Sequence, residues 1–259
     1  MTGGLADYLT RPLTPADPAV LAAIDAGPID PADALARRDI DRLFDPAPLR
    51  AETGWCTLPD GVSYVAVRTA MPAVTGPMVD WWFDWHPRDP LRYRVWHPRA
   101  HQSNSIDPPT RPPGAKAHWG TVHHPVEDVG TGPVHARISF CAPTALGFST
   151  DALDDPAVAT IACGLVGDDR LHVRHSVMAH VWLREGDGLI LRSRFWLGAV
   201  LRPDLPGVLG AAGARLINRP LVRRRALPAG LPQALARHCA EEYTNLAALL
   251  PELYARWGT

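Results

Sequence analysis

Residues 231–250 read LPQALARHCAEEYTNLAALL. Leu235, Ala236, Cys239, Tyr243, Leu246 and Leu250 recur at helical spacing, so this stretch predicts a long amphipathic helix with one apolar stripe. Upstream lie strand-like runs at Thr121 to Val129, Val134 to Cys141, Ala157 to Val166, Leu171 to Leu183 and Gly188 to Leu197. Glu185-Gly186-Asp187-Gly188 is a turn between the last two, and no helical crossover of the kind a parallel sheet needs is visible among them. Pro125 makes the first run an edge or bulged strand. Pro59-Asp60-Gly61 between Trp55–Leu58 and Val62–Val67 reads as a hairpin. The expected fold is therefore α+β, an antiparallel sheet curved around the C-terminal helix with a cavity between them, the helix-grip arrangement.

Residues 1–54 read as a helical arm, and 55–259 as the main domain. In the arm, Pro18 to Ala26 and Pro31 to Phe44 carry apolar residues at helical spacing, with Asp30-Pro31 as a helix start. Met78 to Trp85, MVDWWFDW, predicts a short buried helix, and Asp89-Pro90 starts another toward His97. Trp81, Trp82, Phe83 and Trp85 read either as the wall of a cavity for a flat ligand or as plain core. The proline-rich Pro98 to Pro113 reads as loop, and helix signals return from Pro203.

The chain has 259 residues, 46% of them hydrophobic and 20% charged, enough for a sizeable core. A net charge of −1 argues against a nucleic-acid or membrane-surface partner and leaves a homodimer open. Cys56, Cys141, Cys163 and Cys239 are widely spaced and read as buried free thiols of a cytoplasmic protein. No signal peptide and no membrane-length apolar run is evident.

His238 and Glu242 stand four apart on the predicted helix, so both side chains can reach one point; Glu241 points about a quarter-turn away. A His-x-x-x-Glu pair with a distant third ligand is the start of a zinc site. His101 is the evident long-range partner, and Glu127 the leading strand carboxylate, with Asp128 facing the other side. His123 or His124, and the strand histidines His172, His175 and His180, are competing donors. Spacing alone does not choose among them.

Longer motifs carry a resemblance. They are Asp80-Trp81-Trp82-Phe83 to His86, Tyr93-Arg94-Val95-Trp96-His97-Pro98-Arg99-Ala100-His101-Gln102-Ser103-Asn104, Arg192-Ser193-Arg194-Phe195-Trp196-Leu197-Gly198, and His238-x-x-x-Glu242. In this order they resemble the 2,4-diacetylphloroglucinol hydrolase and phloretin hydrolase family, from about Trp55 onward. The resemblance implies a helix-grip domain of the Bet v 1/START type with a smaller helical N-terminal part. It implies one zinc ion held by His101, Glu127, His238 and Glu242. It also implies hydrolysis of the carbon–carbon bond between an acyl carbonyl and a phenolic ring. Tyr93 and Asn104 match residues that orient phenolic oxygens, and His180 matches a strand histidine expected to move protons, as an imidazole can near neutral pH. Trp81, Trp82 and Trp85 would pack on the ring.

Two departures stand out. The interval from His101 to Glu127 is shorter than is usual in the family. No tyrosine lies between Leu171 and Leu201, and Phe195 occupies the place of a second site tyrosine. The missing hydroxyl keeps other readings in play. One is a metalloenzyme for another reaction of a small aromatic or polyketide-derived substrate, such as cyclisation, decarboxylation or acyl transfer. Another is a non-catalytic binder of a hydrophobic small molecule.

Overall fold

A computed structural model of the chain describes residues 4–108, 110, 115–203 and 218–258. In chain order the strands are β1 (Gly54–Thr57), β2 (Ser63–Met71), β3 (His101–Ser103), β4 (Val122–His123), β5 (Val126–Asp128), β6 (Pro133–Cys141), β7 (Val158–Asp168), β8 (Val173–Glu185) and β9 (Gly188–Pro203). The helices are α1 (Pro18–Asp25), α2 (Gly76–Trp85), α3 (Pro90–Trp96), α4 (Thr150–Leu153), α5 (Pro220–Ala226) and α6 (Leu231–Trp257). The strands pair in the order β1-β2-β9-β8-β7-β6-β5-β3, with β4 also on β6, and every pairing is antiparallel. This is the helix-grip fold, with α6 lying in the concave face of the sheet.

Alternation along the strands assigns the two faces of the sheet. Val65, Val67, Met71, Met178, Trp182, Leu191, Phe195 and Leu197 share one buried cluster with Ala236, Cys239, Tyr243, Leu246 and Leu250 of α6. Tyr64, Ala66, Val177, Ala179, Val181 and Trp196 point the other way, toward Leu35, Ile40, Leu43, Phe44 and Leu49. The N-terminal segment thus starts against α6, where the Tyr8 hydroxyl donates to Glu252 at 2.6 Å, and crosses to the convex face of the sheet.

Buried arginines hold it there. Arg192 donates to the carbonyls of Leu43 and Asp45 at 3.1 and 2.6 Å, and to Glu52 at 2.8 Å. Arg194 donates to Ala51 O at 3.2 Å and to the other Glu52 oxygen at 3.1 Å. Burial opposes ionisation of Glu52, but the Leu49 N–H and the two guanidinium groups outweigh it and hold the carboxyl below its usual range.

The fold differs from the sequence expectation in several places. The Pro31 to Phe44 helix is two 3-10 segments, Pro31–Asp33 and Arg37–Phe44, because what this stretch must bury is a few side chains against a sheet. His101–Ser103, expected as loop, is a strand; three residues are too few to show a period, and only pairing with β5 makes them one. The C-terminal helix continues past Pro251 to Trp257. An interior proline costs about 3 kcal/mol. Against this, Leu253 is fully buried, Tyr254 meets Trp81 edge-on and Trp257 stacks on Trp85. The helix signals expected after Pro203 lie partly at 204–217, outside the described residues.

The Arg192–Glu52–Arg194 clamp yields a prediction. Glu52→Gln leaves two buried guanidinium groups without a counter-charge, and stability should fall by about 3 kcal/mol. Urea unfolding followed by far-UV circular dichroism measures this, and an unchanged midpoint would remove the clamp from the stability account.

Candidate metal centre and its cavity

Three elements bring the candidate ligands together. On α6, His238 and Glu242 lie one turn apart, with His238 Nε2 3.6 Å from Glu242 Oε2. Across the sheet edge, His101 of β3 and Glu127 of β5 are direct register partners, so their side chains project from one face. His101 Nε2 sits 3.4 Å from Glu127 Oε2 and 3.5 Å from Glu242 Oε2, and His238 Nε2 is 3.9 Å from Glu127 Oε2. His101, His238 and Glu242 form the tight group, with donor atoms all within 4.8 Å of one another, and Glu127 adjoins it. A tetrahedron with bonds of 2.0–2.1 Å has edges of about 3.3 Å, close to these separations.

The indole of Trp96, at the end of α3, aligns the two halves. Its N–H donates to the Glu242 carbonyl at 3.0 Å, and Asn245 of α6 donates to the Trp96 carbonyl at 2.8 Å. His101 is then oriented from behind. Its Nδ1 lies 3.1 Å from the Tyr93 carbonyl, which can only accept, so Nδ1 carries the proton and Nε2 presents a lone pair. The Tyr93 ring stacks on the imidazole at 4.1 Å, and its hydroxyl donates to Glu127.

The donor set fits a divalent cation. His101 Nε2 is buried without a hydrogen-bond partner among protein groups. Burial lowers the pKa of His101, and more strongly that of His238, so both imidazoles are neutral ligands. Burial also pushes Glu242 well above the usual carboxylate range, and burial together with the Glu242 charge raises Glu127. Two buried carboxylates are costly without positive charge, and a dication bound by two neutral nitrogens and two oxygens supplies it.

The cluster forms part of the wall of a cavity of ≈ 410 Å³. At its inner end stand Phe83, His86, Asn104, His123, Phe140, His180, Phe195 and Tyr243. Asn104 is buried, and its Oδ1 has no protein partner. Of the adjacent pair, His123 lines the cavity while His124 turns out between Asp169 at 3.0 Å and Asp107 at 3.3 Å. His175 and His180 both line it despite opposite parity, because His175 is a one-residue bulge against β7, where Val166 pairs with Ser176 and Gly167 with Arg174. His172 has φ 50° and lies before the strand. Asp128 caps a turn, accepting from the N–H groups of Gly130 and Gly132 at 2.8 and 3.0 Å, and Glu241 faces His97 at 3.5 Å.

Two expectations are corrected here. Trp81, Trp82 and Trp85 do not line the cavity: Trp82 is fully buried, and Trp81 and Trp85 stack on each other at 4.8 Å and pack against the C-terminal end of α6. Phe83 and His86 of the same run face the cavity instead, because a helix presents only one side to it. His180 does not titrate near neutrality: burial lowers its pKa to about 3, and Ser193 holds its Nδ1 at 2.8 Å. Tyr93 lines the cavity, and its hydroxyl, which donates to Glu127, keeps its acceptor lone pairs.

Sequence reasoning missed Tyr243. It counts toward the apolar stripe of α6, yet it lines the cavity with its ring 4.9 Å from His180. Its place directly after Glu242 was the available signal. Ser193 was likewise overlooked within the Arg192–Gly198 motif. Alternation there sends Arg192 and Arg194 outward to Glu52, and Ser193 and Phe195 inward.

The chain is similar to known proteins. A family model described as the DAPG hydrolase PhiG domain matches residues 35–255. Phloretin hydrolase of Eubacterium ramulus is 31% identical over 256 residues, covering 96% of this chain and 88% of that protein. 2,4-Diacetylphloroglucinol hydrolase of Pseudomonas protegens is 32% identical over 244 residues, covering 91% of this chain and 79% of the relative. Among solved structures, Ara h 8.0201 is 10% identical with a TM-score of 0.42, covering 74% of this chain and 99% of its own. Norcoclaurine synthase of Thalictrum flavum is 10% identical with a TM-score of 0.35, covering 72% and 88%. The helix-grip assignment rests on strand order and register, not on these two likenesses. Among the described residues, no helix is long and apolar enough to cross a membrane.

The buried histidines set the acid stability. In the folded chain His118, His123 and His180 have pKa values of about 4, 3 and 3, all lowered first by burial, against about 6.5 for free imidazole. The unfolded chain therefore binds protons first. Stability from these groups is complete above about pH 6.5 and drains away as pH falls toward the folded values, on the order of 1.4 kcal/mol per pH unit per histidine. Urea unfolding at about pH 7 and about pH 5 should show a loss of several kcal/mol; equal values would mean that these imidazoles are not buried neutral.

Proposed function

The chain belongs to the DAPG hydrolase PhiG domain family, and from that premise we propose that it is a metal-dependent hydrolase of the carbon–carbon bond between an acyl carbonyl and a phloroglucinol-type ring. The observation that carries this reading is the meeting of His101, His238 and Glu242, with Glu127 beside them, at the wall of the cavity. Zinc is the ion we assign, since two imidazoles and two carboxylates in a compact group suit it. It would contribute positive charge that polarises an oxygen ligand and makes water acidic near neutral pH.

The remaining chemistry falls to side chains. Hydrolysis adds water across the bond: the acyl carbon gains oxygen, and the ring carbon leaves with the bonding pair and takes up a proton. A polyhydroxylated ring tolerates this because its keto tautomer makes the acyl-ring unit a β-diketone. Asn104 is assigned to orient a ring hydroxyl, consistent with its buried and unpaired Oδ1. Tyr93 is a positioning residue that holds Glu127 and stacks on His101. His180, fixed by Ser193, is the group we assign to carry a proton between water and ring carbon. Because its protonated form is costly, it holds that proton only transiently. Phe83, His86 and Phe195, rather than the tryptophans, would enclose the ring.

Phe195 favours a second reading. It meets His180 edge-on at 5.4 Å and brings no hydroxyl to this wall, so another enolate reaction, such as cyclisation or acyl transfer, is the competing use of the same site. Product analysis with an acylphloroglucinol separates the two: free acid and deacylated ring support hydrolysis.

Two mutations follow. Glu242→Gln should lose bound metal, measured by elemental analysis, and lower turnover by more than the ~10–100-fold typical of changes behind the ligands, with the fold kept by circular dichroism. Full metal content with full activity would remove Glu242 from the ligand set. Phe195→Tyr should raise kcat/KM for a diacylphloroglucinol about fivefold or more, as a buried hydroxyl gains a partner; no change would mean that position 195 does not read the ring.

A further inference from the structure

Resting on the reaction proposed above, the geometry points to a substrate whose acyl group is an extended apolar arm, and we infer that the outer half of the cavity is its channel. The cavity continues well beyond the metal cluster along one face of α6. Leu231, Leu235, His238 and Glu242 all line it, at steps of four, three and four residues. At 1.5 Å per residue, Leu231 lies about 10 Å from His238 along the helix axis. On the sheet side, Val134 is the cross-strand partner of Glu127, so the apolar wall begins where the cluster ends. Val166 continues it, and Leu171 and Leu227 stand at its outer end.

The two halves differ in chemistry. The inner half carries Asn104, His86, His123 and His180, groups able to hydrogen-bond a hydroxylated ring. The outer half has few free polar atoms. Asp168 Oδ1 is occupied by the N–H groups of Arg170 and Leu171 at 2.8 and 2.7 Å, and His175 Nδ1 pairs with the Ser176 hydroxyl at 2.7 Å. His135 and Thr131 complete its polar complement. Leu171, in the turn between β7 and β8, is 72% exposed and marks the solvent end of the cavity. With the ring in the inner half and the scissile carbonyl at the cluster, the acyl chain is directed outward between α6 and β6–β7. An acetyl group would leave this channel unfilled; an alkyl or arylalkyl arm spanning about 10 Å would fill it.

The test uses the metal-loaded protein in two measurements. The first is kcat/KM for acylphloroglucinols bearing acetyl, butanoyl, hexanoyl and octanoyl groups. The second is calorimetric binding of alkyl phenyl ketones of the same chain lengths, which lack the hydroxylated ring needed for cleavage. Both should rise with chain length by about threefold per methylene until the channel is filled. Leu231→Trp, which narrows the channel, and Leu171→Asp, which charges its exposed end, should flatten both slopes. Ketone affinity that does not rise with chain length, or slopes indifferent to both substitutions, would overturn the inference. A rising ketone affinity with no cleavage of any acylphloroglucinol would leave the channel in place and remove the proposed reaction instead.

Discussion

Two carboxylates, the buried Glu242 and the largely buried Glu127, stand beside two neutral imidazoles between the sheet edge and the long helix, and the arrangement of the site answers to that constraint. Charge withdrawn from water must be compensated. A bound cation would do so, as would proton uptake by the carboxyls, whose pKa values burial raises, whereas His101 and His238 are held neutral by their own burial. The parts of the fold nearest the cluster are accordingly those that fix donor atoms: the β3–β5 register, the Trp96 indole on the Glu242 carbonyl, and the Tyr93 ring stacked on His101.

The same need for precise placement explains the division of labour in β9. Alternation sends Arg192, Arg194 and Trp196 to the convex face, where they fasten the N-terminal segment, and sends Ser193, Phe195 and Leu197 to the concave face. One strand therefore anchors the outer layer and orients His180 from within. A change on either face would be felt on the other through the backbone of a strand held on both sides.

Polarity grades along the cavity in step with this architecture. Groups able to bind a hydroxylated ring cluster where α2, α3 and β8 approach, while aliphatic residues dominate toward the N-terminal end of α6. A single helix face passes from Leu231 and Leu235 to His238 and Glu242, so one element supplies both the apolar rail and half of the metal donors.

Much of this was legible in the linear chain. The antiparallel runs, the aromatic helices and the amphipathic stripe of residues 231–250 are local periodicities, and periodicity is set by backbone geometry. The His238–Glu242 pair is legible for the same reason. His101 and Glu127 had no such signal: they sit on strands of three residues each and become partners only through the β3–β5 pairing. The tryptophans of α2 misled because a helix pattern tells which residues are apolar but not which side meets the ligand; α6, running on past Pro251, claimed them. His180 was found by position, yet its neutral state depends on how completely the sheet and helix exclude water from it. Local sequence determined the elements and some of the donors, while tertiary packing decided register, burial and protonation, because those depend on neighbours brought from far along the chain.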